Sequence, residues 1–269
     1  MRIEHNQQQP IRLVQITDAH LGNQPGEALL GMDTDASLGH VIALIKQQPR
    51  PDLLLATGDI ANAGSAPSYQ RFHQLTRDIA PHSVWLPGNH DRPAVMEKTM
   101  AGSEVLARSV QVGNWQILML NSAVVGEVGG SLAESELIFL RQTLQQSVGQ
   151  HVLICLHHHL IPCGCDWLDE QQVDNAEQFF NIIDEFDHVR GVLWGHIHQE
   201  VDQLRNNVRL LASPSTCVQF APNNKDFKLD RLSPGYRWLQ LHADGRVETA
   251  LERVTAVEFD INFDHTDGY

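Results

Sequence analysis

The sequence predicts an α/β protein in which two sheets pack face to face with helices on their outer sides. Three observations carry this expectation. In the first half of the chain, short continuous apolar runs alternate with segments whose apolar residues recur at helical spacing, the pattern of βα units. After Asn207 the pattern becomes that of successive antiparallel strands. No Pro/Gly-rich linker divides the two halves, so residues 1–256 are expected to form one domain.

The elements follow in order. The first expected strand is 11–16. Leu38, Val41, Ile42 and Ile45 fall at i, i+3, i+4 and i+7, one face of an amphipathic helix, and Asp33, Thr34 and Asp35 offer N-caps ahead of it. Leu53-Leu54-Leu55-Ala56 is uniformly apolar, as suits a strand buried on both faces. Residues 67–79 have a helical pattern, and Val84-Trp85-Leu86 is a short strand closed by Pro87-Gly88. Segments 109–112 and 115–120 flank Gly113-Asn114, a hairpin signal. Helices are expected over 134–146 and 175–186; in the second, Ala176, Phe179, Phe180 and Ile183 share a face. Residues 152–156 and 191–194 are expected as buried strands, and 208–212, 216–220, 236–241 and 247–251 as the antiparallel set. The tail from Val257 carries Glu258, Asp260, Asp264 and Asp267 without Lys or Arg, and 257–269 is expected to be loosely held.

Composition excludes several functions. With 42% apolar and 19% charged residues over 269 positions, disorder is excluded as the main state. A net charge of −14 argues against nucleic-acid and anionic-membrane partners, which need clustered Lys and Arg. The longest apolar runs, such as 152–156, fall far short of the ~20 residues that span a bilayer. The first ten residues lack the apolar core of a secretory signal, and the four cysteines form no CxxC pair, so a cytoplasmic protein with free thiols is expected. Cys163-Gly164-Cys165 admits a soft-metal site, with free loop thiols the plainer reading. The unusual residue is histidine, with 15 copies, several grouped beside aspartates.

Five short polar groups sit where buried strands are expected to end: Asp18-Ala19-His20, Gly58-Asp59, Gly88-Asn89-His90-Asp91, His157-His158-His159 and Gly195-His196-Ile197-His198. In α/β proteins ligands bind at the carboxyl ends of strands, so five adjacent ends would bring these groups into one pocket. Imidazole and carboxylate donors suit Zn, Mn and Fe. The single residue between the donors of Asp-x-His and His-x-His lets both leave a strand end on the same side. Each group alone also has a plain reading as a loop or turn, Gly88-Asn89-His90-Asp91 being the rarest by chance and Gly195-His196-Ile197-His198 evenly balanced; all five in order, each after a strand, point to a dinuclear metal site.

As a set these blocks resemble the signature of the calcineurin-like metallophosphoesterases, over about residues 11–200. Residues 13–18, 85–91, 195–200, 214–220 and 243–245 also resemble the bacterial class III 3′,5′-cyclic AMP phosphodiesterases of that family. The resemblance implies a four-layer α/β/β/α sandwich of two mixed sheets flanked by helices. It implies two divalent metal ions, Fe(II) or Mn(II), with Zn also fitting the donors. One ion would take Asp18, His20 and His198, the other Asn89, His157 and His196, with Asp59 bridging. His157 lies directly at the strand end; His158 is its competitor, because His159-Leu160-Ile161-Pro162 follows where relatives often place Pro immediately.

The resemblance further implies that a hydroxide between the metals attacks phosphorus and that His90 protonates the leaving 3′ oxygen, releasing 5′-AMP. Asp91 would orient the His90 ring. Substrate contacts would come from His20, Asp59, Asn89, His90, His157 and His198. Trp167 and Phe220 are open between base stacking and core packing. Two alternatives are a broader phosphodiesterase and a metal-poor scaffold; the presence of all seven candidate ligands and His90 weighs against the scaffold.

Overall fold

The structure is a computed structural model that describes residues 1–6, 8–255 and 257–266. Val247–Arg253, Gly235–Leu241, Ile11–Ile16, Leu53–Thr57 and His82–Leu86 lie side by side in that order as one sheet. A second sheet runs Arg2–Ile3, Ser109–Val112, Trp115–Met119, His151–Cys155, Val189–Trp194, Val208–Ala212 and Val201–Arg205. Both sheets are mixed. Ile11–Ile16, Leu53–Thr57 and the edge strand His82–Leu86 are mutually parallel, as are the four strands from Trp115–Met119 to Val208–Ala212, while Gly235–Leu241, Val247–Arg253, Ser109–Val112 and Val201–Arg205 join by antiparallel pairing.

The strict period of two along each strand sorts its side chains between two interfaces. Ile11, Leu13, Leu53 and Leu55 face Leu153, Cys155, Leu193 and Leu211 in the core between the sheets. Their neighbours Val14, Ile16, Leu54 and Ala56 face outward onto Leu38, Val41, Ile45, Tyr69 and Phe72 of the helices Thr34–Ile45 and Ala66–Thr76. On the far side, Val152, Ile154, Val192 and Trp194 pack on Leu140, Leu144, Phe179 and Ile183 of the helices Glu134–Gln146 and Ala176–Ile183. Three apolar interfaces separate four layers, helix, sheet, sheet and helix, which is the expected α/β/β/α architecture.

The structure departs from the sequence reading in several places. Val208–Ala212 pairs in parallel with Val189–Trp194 and is antiparallel only to Val201–Arg205, an edge strand with an exposed, polar pattern that periodicity did not reveal. The strand expected at 216–220 shrinks to Gln219–Phe220. Its first residues satisfy their backbone elsewhere: Thr216 N–H donates to the Thr17 carbonyl at 3.1 Å, and Cys217 N–H to Ser215 Oγ at 2.8 Å. The helix expected over 175–186 covers Ala176–Ile183. Short helices at Pro93–Thr99 and Asp166–Asp169 were not expected.

Residues 257–266 form no helix or strand. Asn262 N–H donates to the Leu30 carbonyl at 2.7 Å, Phe259 meets the His40 ring edge-on at 5.9 Å, and the Arg231 guanidinium lies 4.3 Å over the Phe263 ring. Ala256, where the expected domain ends, and Asp267 of the acidic tail lie outside the described residues.

Candidate metal centre

The polar groups follow strands whose parallel order places their carboxyl ends together, three from one sheet and two from the other. The chain turns sharply at each end. Asp18 (φ 55°), His20 (46°), Asp59 (48°), His196 (64°) and His198 (49°) are five of the nine non-glycine residues with positive φ among those described. Such backbone costs about 1–3 kcal/mol per residue and persists only where its surroundings impose it. Here the loops brace one another: Asp18 N–H donates to Gly58 O at 3.0 Å, His20 N–H to Asp59 O at 2.8 Å, and Gly195 N–H to His157 O at 3.1 Å. His196 N–H reaches both carboxylate oxygens of Asp18, each at 3.1 Å.

The donors converge in two overlapping sets. Asp18, His20 and His198 place one ligand atom each within 4.8 Å of one another, and so do Asp18, Asp59 and His157. His198 Nε2 is 3.4 Å from Asp18 Oδ1, His157 Nε2 is 3.2 Å from Asp59 Oδ2, and His20 Nε2 is 3.7 Å from the same oxygen. Asn89 Oδ1 stands 3.2 Å from His157 Nε2, and His196 joins His157 and His158 in a third cluster. Asp59 thus touches donors of both sets, the position a bridging carboxylate needs. All seven candidate ligands named from the sequence come together.

The outward ring nitrogens are fixed by backbone carbonyls. His157 Nδ1 lies 2.8 Å from Thr57 O, and His198 Nδ1 lies 2.8 Å from Val218 O. Each ring therefore holds its proton on Nδ1 and turns Nε2 to the centre, the arrangement that orients metal-ligating histidines. His158 differs, because its Nδ1 meets Ser122 Oγ at 2.9 Å and its Nε2 meets Val128 O at 3.1 Å. Both His158 nitrogens thus meet groups outside the candidate ligand set, whereas His157 Nε2 meets the candidate ligands Asn89 and Asp59, each at 3.2 Å.

Electrostatics agree with a cation site. Burial opposes ionisation of Asp18, but His198 and then His157 outweigh it and hold the carboxyl below its usual range. Asp59 is lowered further, by His157 and His90 against its burial. Burial opposes charging of His157 too, yet Asp59 and Asp18 raise it to about 9. Burial first, then His90, lowers His20 to about 3, and burial drives His196 well down. Among the described residues neither ring nitrogen of His196 has a hydrogen-bond partner, although the residue is buried. Two lowered carboxylates, the neutral imidazoles of His20 and His196, and a His157 whose raised pKa reflects the negative charge beside it form a donor set that suits a divalent metal, which would take the place of the His157 proton.

His90 stands beside this centre. Its ring meets His20 edge-on at 4.7 Å, and its N–H donates to Asp59 Oδ1 at 2.9 Å. The expected partner of the ring was Asp91; the structure places the Asn62 carbonyl there, 3.0 Å from Nδ1. The Asp91 carboxylate instead accepts backbone N–H groups from Gly88 at 3.0 Å, Ala61 at 3.1 Å and Ile60 at 3.2 Å. It ties the loop after Leu53–Thr57 to the loop after His82–Leu86, and so acts on the backbone that carries Asp59 and Asn89. Its neighbour Asn89 carried the sequence signal; Asn62 had none, since it contributes only a carbonyl.

A cavity of about 260 Å³ opens on the centre, lined by His20, Asp59, Asn89, His90, His196 and His198 on one side. Trp167, Phe220 and Phe227 form an aromatic wall on the other. Phe220 lies flat on His198, with centroids 4.1 Å apart and planes at 7°, and Trp167 meets Phe220 edge-on at 5.1 Å. Phe227 and Gln171 were not anticipated, for no local pattern brings them to the strand ends.

An α/β/β/α sandwich with clustered Asp, His and Asn donors at the carboxyl ends of its central strands defines a metal-dependent phosphoesterase architecture. Residues 11–200 match the calcineurin-like phosphoesterase model, and the chain belongs to that family. It is 46% identical over 260 residues to the 3′,5′-cyclic adenosine monophosphate phosphodiesterase CpdA of Pseudomonas aeruginosa, covering 96% of this chain and 95% of the relative. It is 43% identical to CpdA of Escherichia coli K12, covering 93% and 92%. Among solved structures, it resembles a dimetal phosphatase from Danio rerio at TM-score 0.61 and 16% identity, covering 91% of this chain and all of the other. It also resembles the purple acid phosphatase PPD1 of yellow lupin at TM-score 0.64 and 16% identity, covering 92% and 52%. At such identities these two likenesses concern the fold. Among the described residues no helix is long and apolar enough to cross a membrane.

Proposed function

We propose that this protein hydrolyses 3′,5′-cyclic AMP to 5′-AMP in the cytoplasm and so lowers the cellular level of the cyclic nucleotide. The observation that carries the proposal is the convergence of Asp18, His20, His198, Asp59, Asn89, His157 and His196 beside His90 at the mouth of one aromatic-walled cavity. The names and near-full coverage of the curated relatives support the substrate. Residues 1–256 would act as one unit.

Asp18, His20 and His198 would hold one divalent ion, and Asn89, His157 and His196 the other, with Asp59 between them. Fe(II) or Mn(II) is the expected pair, and Zn suits the same donors. When bound, the ions supply a nucleophilic hydroxide near neutral pH and positive charge for a phosphodiester. This local charge makes the acidic surface no obstacle to an anionic substrate. His90, with Nδ1 turned to the Asn62 carbonyl, delivers a proton from Nε2 to the departing 3′ oxygen. His20, Asp59, Asn89, His157 and His198 contact the phosphate region, and Trp167 with Phe220 offers the base a stacking wall.

One observation favours a broader phosphodiesterase as the second reading. A cleft of about 860 Å³ adjoins the cavity, shares Asn89 and His90 with it, and extends past Arg92 to Val124 and Val125. It leaves room for leaving groups larger than a nucleoside.

Product formation by protein reconstituted with Mn(II) or Fe(II) decides between them. Cyclic AMP is offered beside cyclic GMP and bis(p-nitrophenyl) phosphate, with a chelator control. Chelator-sensitive 5′-AMP formation faster than the other products is the expected result. Cleavage of the nitrophenyl ester alone would keep the metal centre and overturn the substrate.

A further inference from the structure

A second group of donors lies behind the centre, on the loop between His159 and Asp169. One ligand atom from each of His159, Cys163 and Asp169 falls within 4.8 Å of the others. His159 Nε2 is 3.7 Å from Asp169 Oδ1. The His159 side chain is wholly buried, and among the described residues neither ring nitrogen has a hydrogen-bond partner. Buried polar groups are nearly always satisfied, so an imidazole in this state asks for one. Its ring stacks on that of His196, with centroids 5.7 Å apart and planes at 15°.

We propose that His159, Cys163 and Asp169 form a further metal site, distinct from the dinuclear centre, for a borderline-soft divalent cation such as Zn(II) or Co(II). Tetrahedral zinc bonds to N and O imply an N···O edge of roughly 3.3–3.5 Å, and the observed His159–Asp169 separation of 3.7 Å reaches it by a shift of a few tenths of an ångström. The mixed N, S and O donors suit these ions better than Mg or Ca. The carboxylate is already oriented, because Asp169 Oδ1 accepts the Cys163 N–H at 2.7 Å and Oδ2 the Gly164 N–H at 3.2 Å. Cys163 is half-buried and the Asp169 side chain 25% exposed, which leaves an entry path and a fourth position for water. Cys163 loses its thiol proton to solvent on binding.

The Cys163-Gly164-Cys165 pair suggested by the sequence is thus split. Cys165 Sγ faces Gln199 Nε2 and the Ala221 carbonyl, each at 3.4 Å, while His159 and Asp169 complete the set around Cys163. The consequence is structural. The same loop carries Trp167 and Leu168 to the cavity wall, so the ion would pin that wall to the strand end bearing His157.

The test uses the full chain loaded with Co(II). The donors of the dinuclear centre include no cysteine, so a near-ultraviolet thiolate-to-cobalt charge-transfer band reports this site alone. The band is expected in the unaltered protein, lost in Cys163→Ala, and retained in His157→Ala, which empties part of the dinuclear centre instead. Metal analysis after Zn(II) loading should give one ion fewer per chain for Cys163→Ala and Asp169→Asn. Absence of the band from the unaltered protein overturns the proposal whether or not any variant folds, and so does its persistence in Cys163→Ala. Loss of metal from His157→Ala with no change in the band would leave the two sites independent, as proposed.

Discussion

The Nδ1 of His157 lies 2.8 Å from the carbonyl oxygen of Thr57, so a side chain at a strand end of one sheet is oriented by the backbone of the other. This contact joins the sheets at the metal centre and sets the tautomer that turns Nε2 toward Asp59, 3.2 Å away. Its closeness depends on Gly58. That residue has φ +99°, and a Cβ placed there would collide with the His157 ring and approach Gly88 N to 2.9 Å. Gly58→Ala should therefore strain the backbone and displace His157. A loss of about 1–3 kcal/mol in denaturant unfolding, together with reduced metal retention, is expected. Unchanged metal content would show that the two sheets do not need this close approach.

Removal of metal should make stability depend on pH through His157. Its folded-state pKa of about 9 stands above the ordinary 6.5, because Asp59 and Asp18 overcome the cost of burial. A raised pKa stabilises the folded state fully below 6.5, and that contribution is lost as pH rises through about 9. Chelated protein should thus lose thermal stability across this window. Metal-loaded protein, in which an ion takes the place of the proton, should stay nearly level, and metal uptake within the window should release protons. A chelated protein with a flat Tm over the window would contradict the pairing of His157 with these carboxylates.

His90→Ala separates proton delivery from metal binding. Metal content should be retained, while turnover of cyclic AMP falls by about 10²–10⁴-fold, the usual range for a lost general acid. A nitrophenyl ester needs little protonation of its leaving group and should lose much less. Equal losses on both substrates would remove the acid role.

Asp91→Asn tests the bracing of the loops. The carboxylate accepts three backbone N–H groups through two oxygens, and no orientation of an amide can accept all three. Leaving a buried donor unpaired costs about 1–3 kcal/mol, so a lower Tm is expected. Because the His90 ring is held by Asn62, the ratio of cyclic AMP to nitrophenyl ester activity should stay close to that of the unaltered protein.

Trp167→Ala probes the aromatic wall. A base stacked on an aromatic side chain gains about 1–3 kcal/mol, so KM for cyclic AMP should rise roughly 5- to 150-fold with a smaller effect on kcat. An unaltered KM would assign Trp167 to packing against Phe220 and Phe227.

The amino-acid sequence by itself determined the local units of this protein. Uniform apolar runs such as Leu53-Leu54-Leu55-Ala56 marked the central strands, because a strand buried on both faces has no polar side. The polar groups after them stood out because buried strands end where the chain meets solvent or ligand, and Asp, His and Asn gather there for chemistry rather than packing. Only the tertiary structure decided which strands are neighbours. Gly235–Leu241 returns across the whole chain to pair with Ile11–Ile16, and Val208–Ala212 joins its sheet in parallel, since register and partner are long-range choices that a period of two cannot encode. The same holds for Asn62, Thr57 and Val218, which serve the site through carbonyl groups that every residue possesses. A backbone oxygen leaves no mark in the sequence; its role exists only once folding has carried it to the ring it holds.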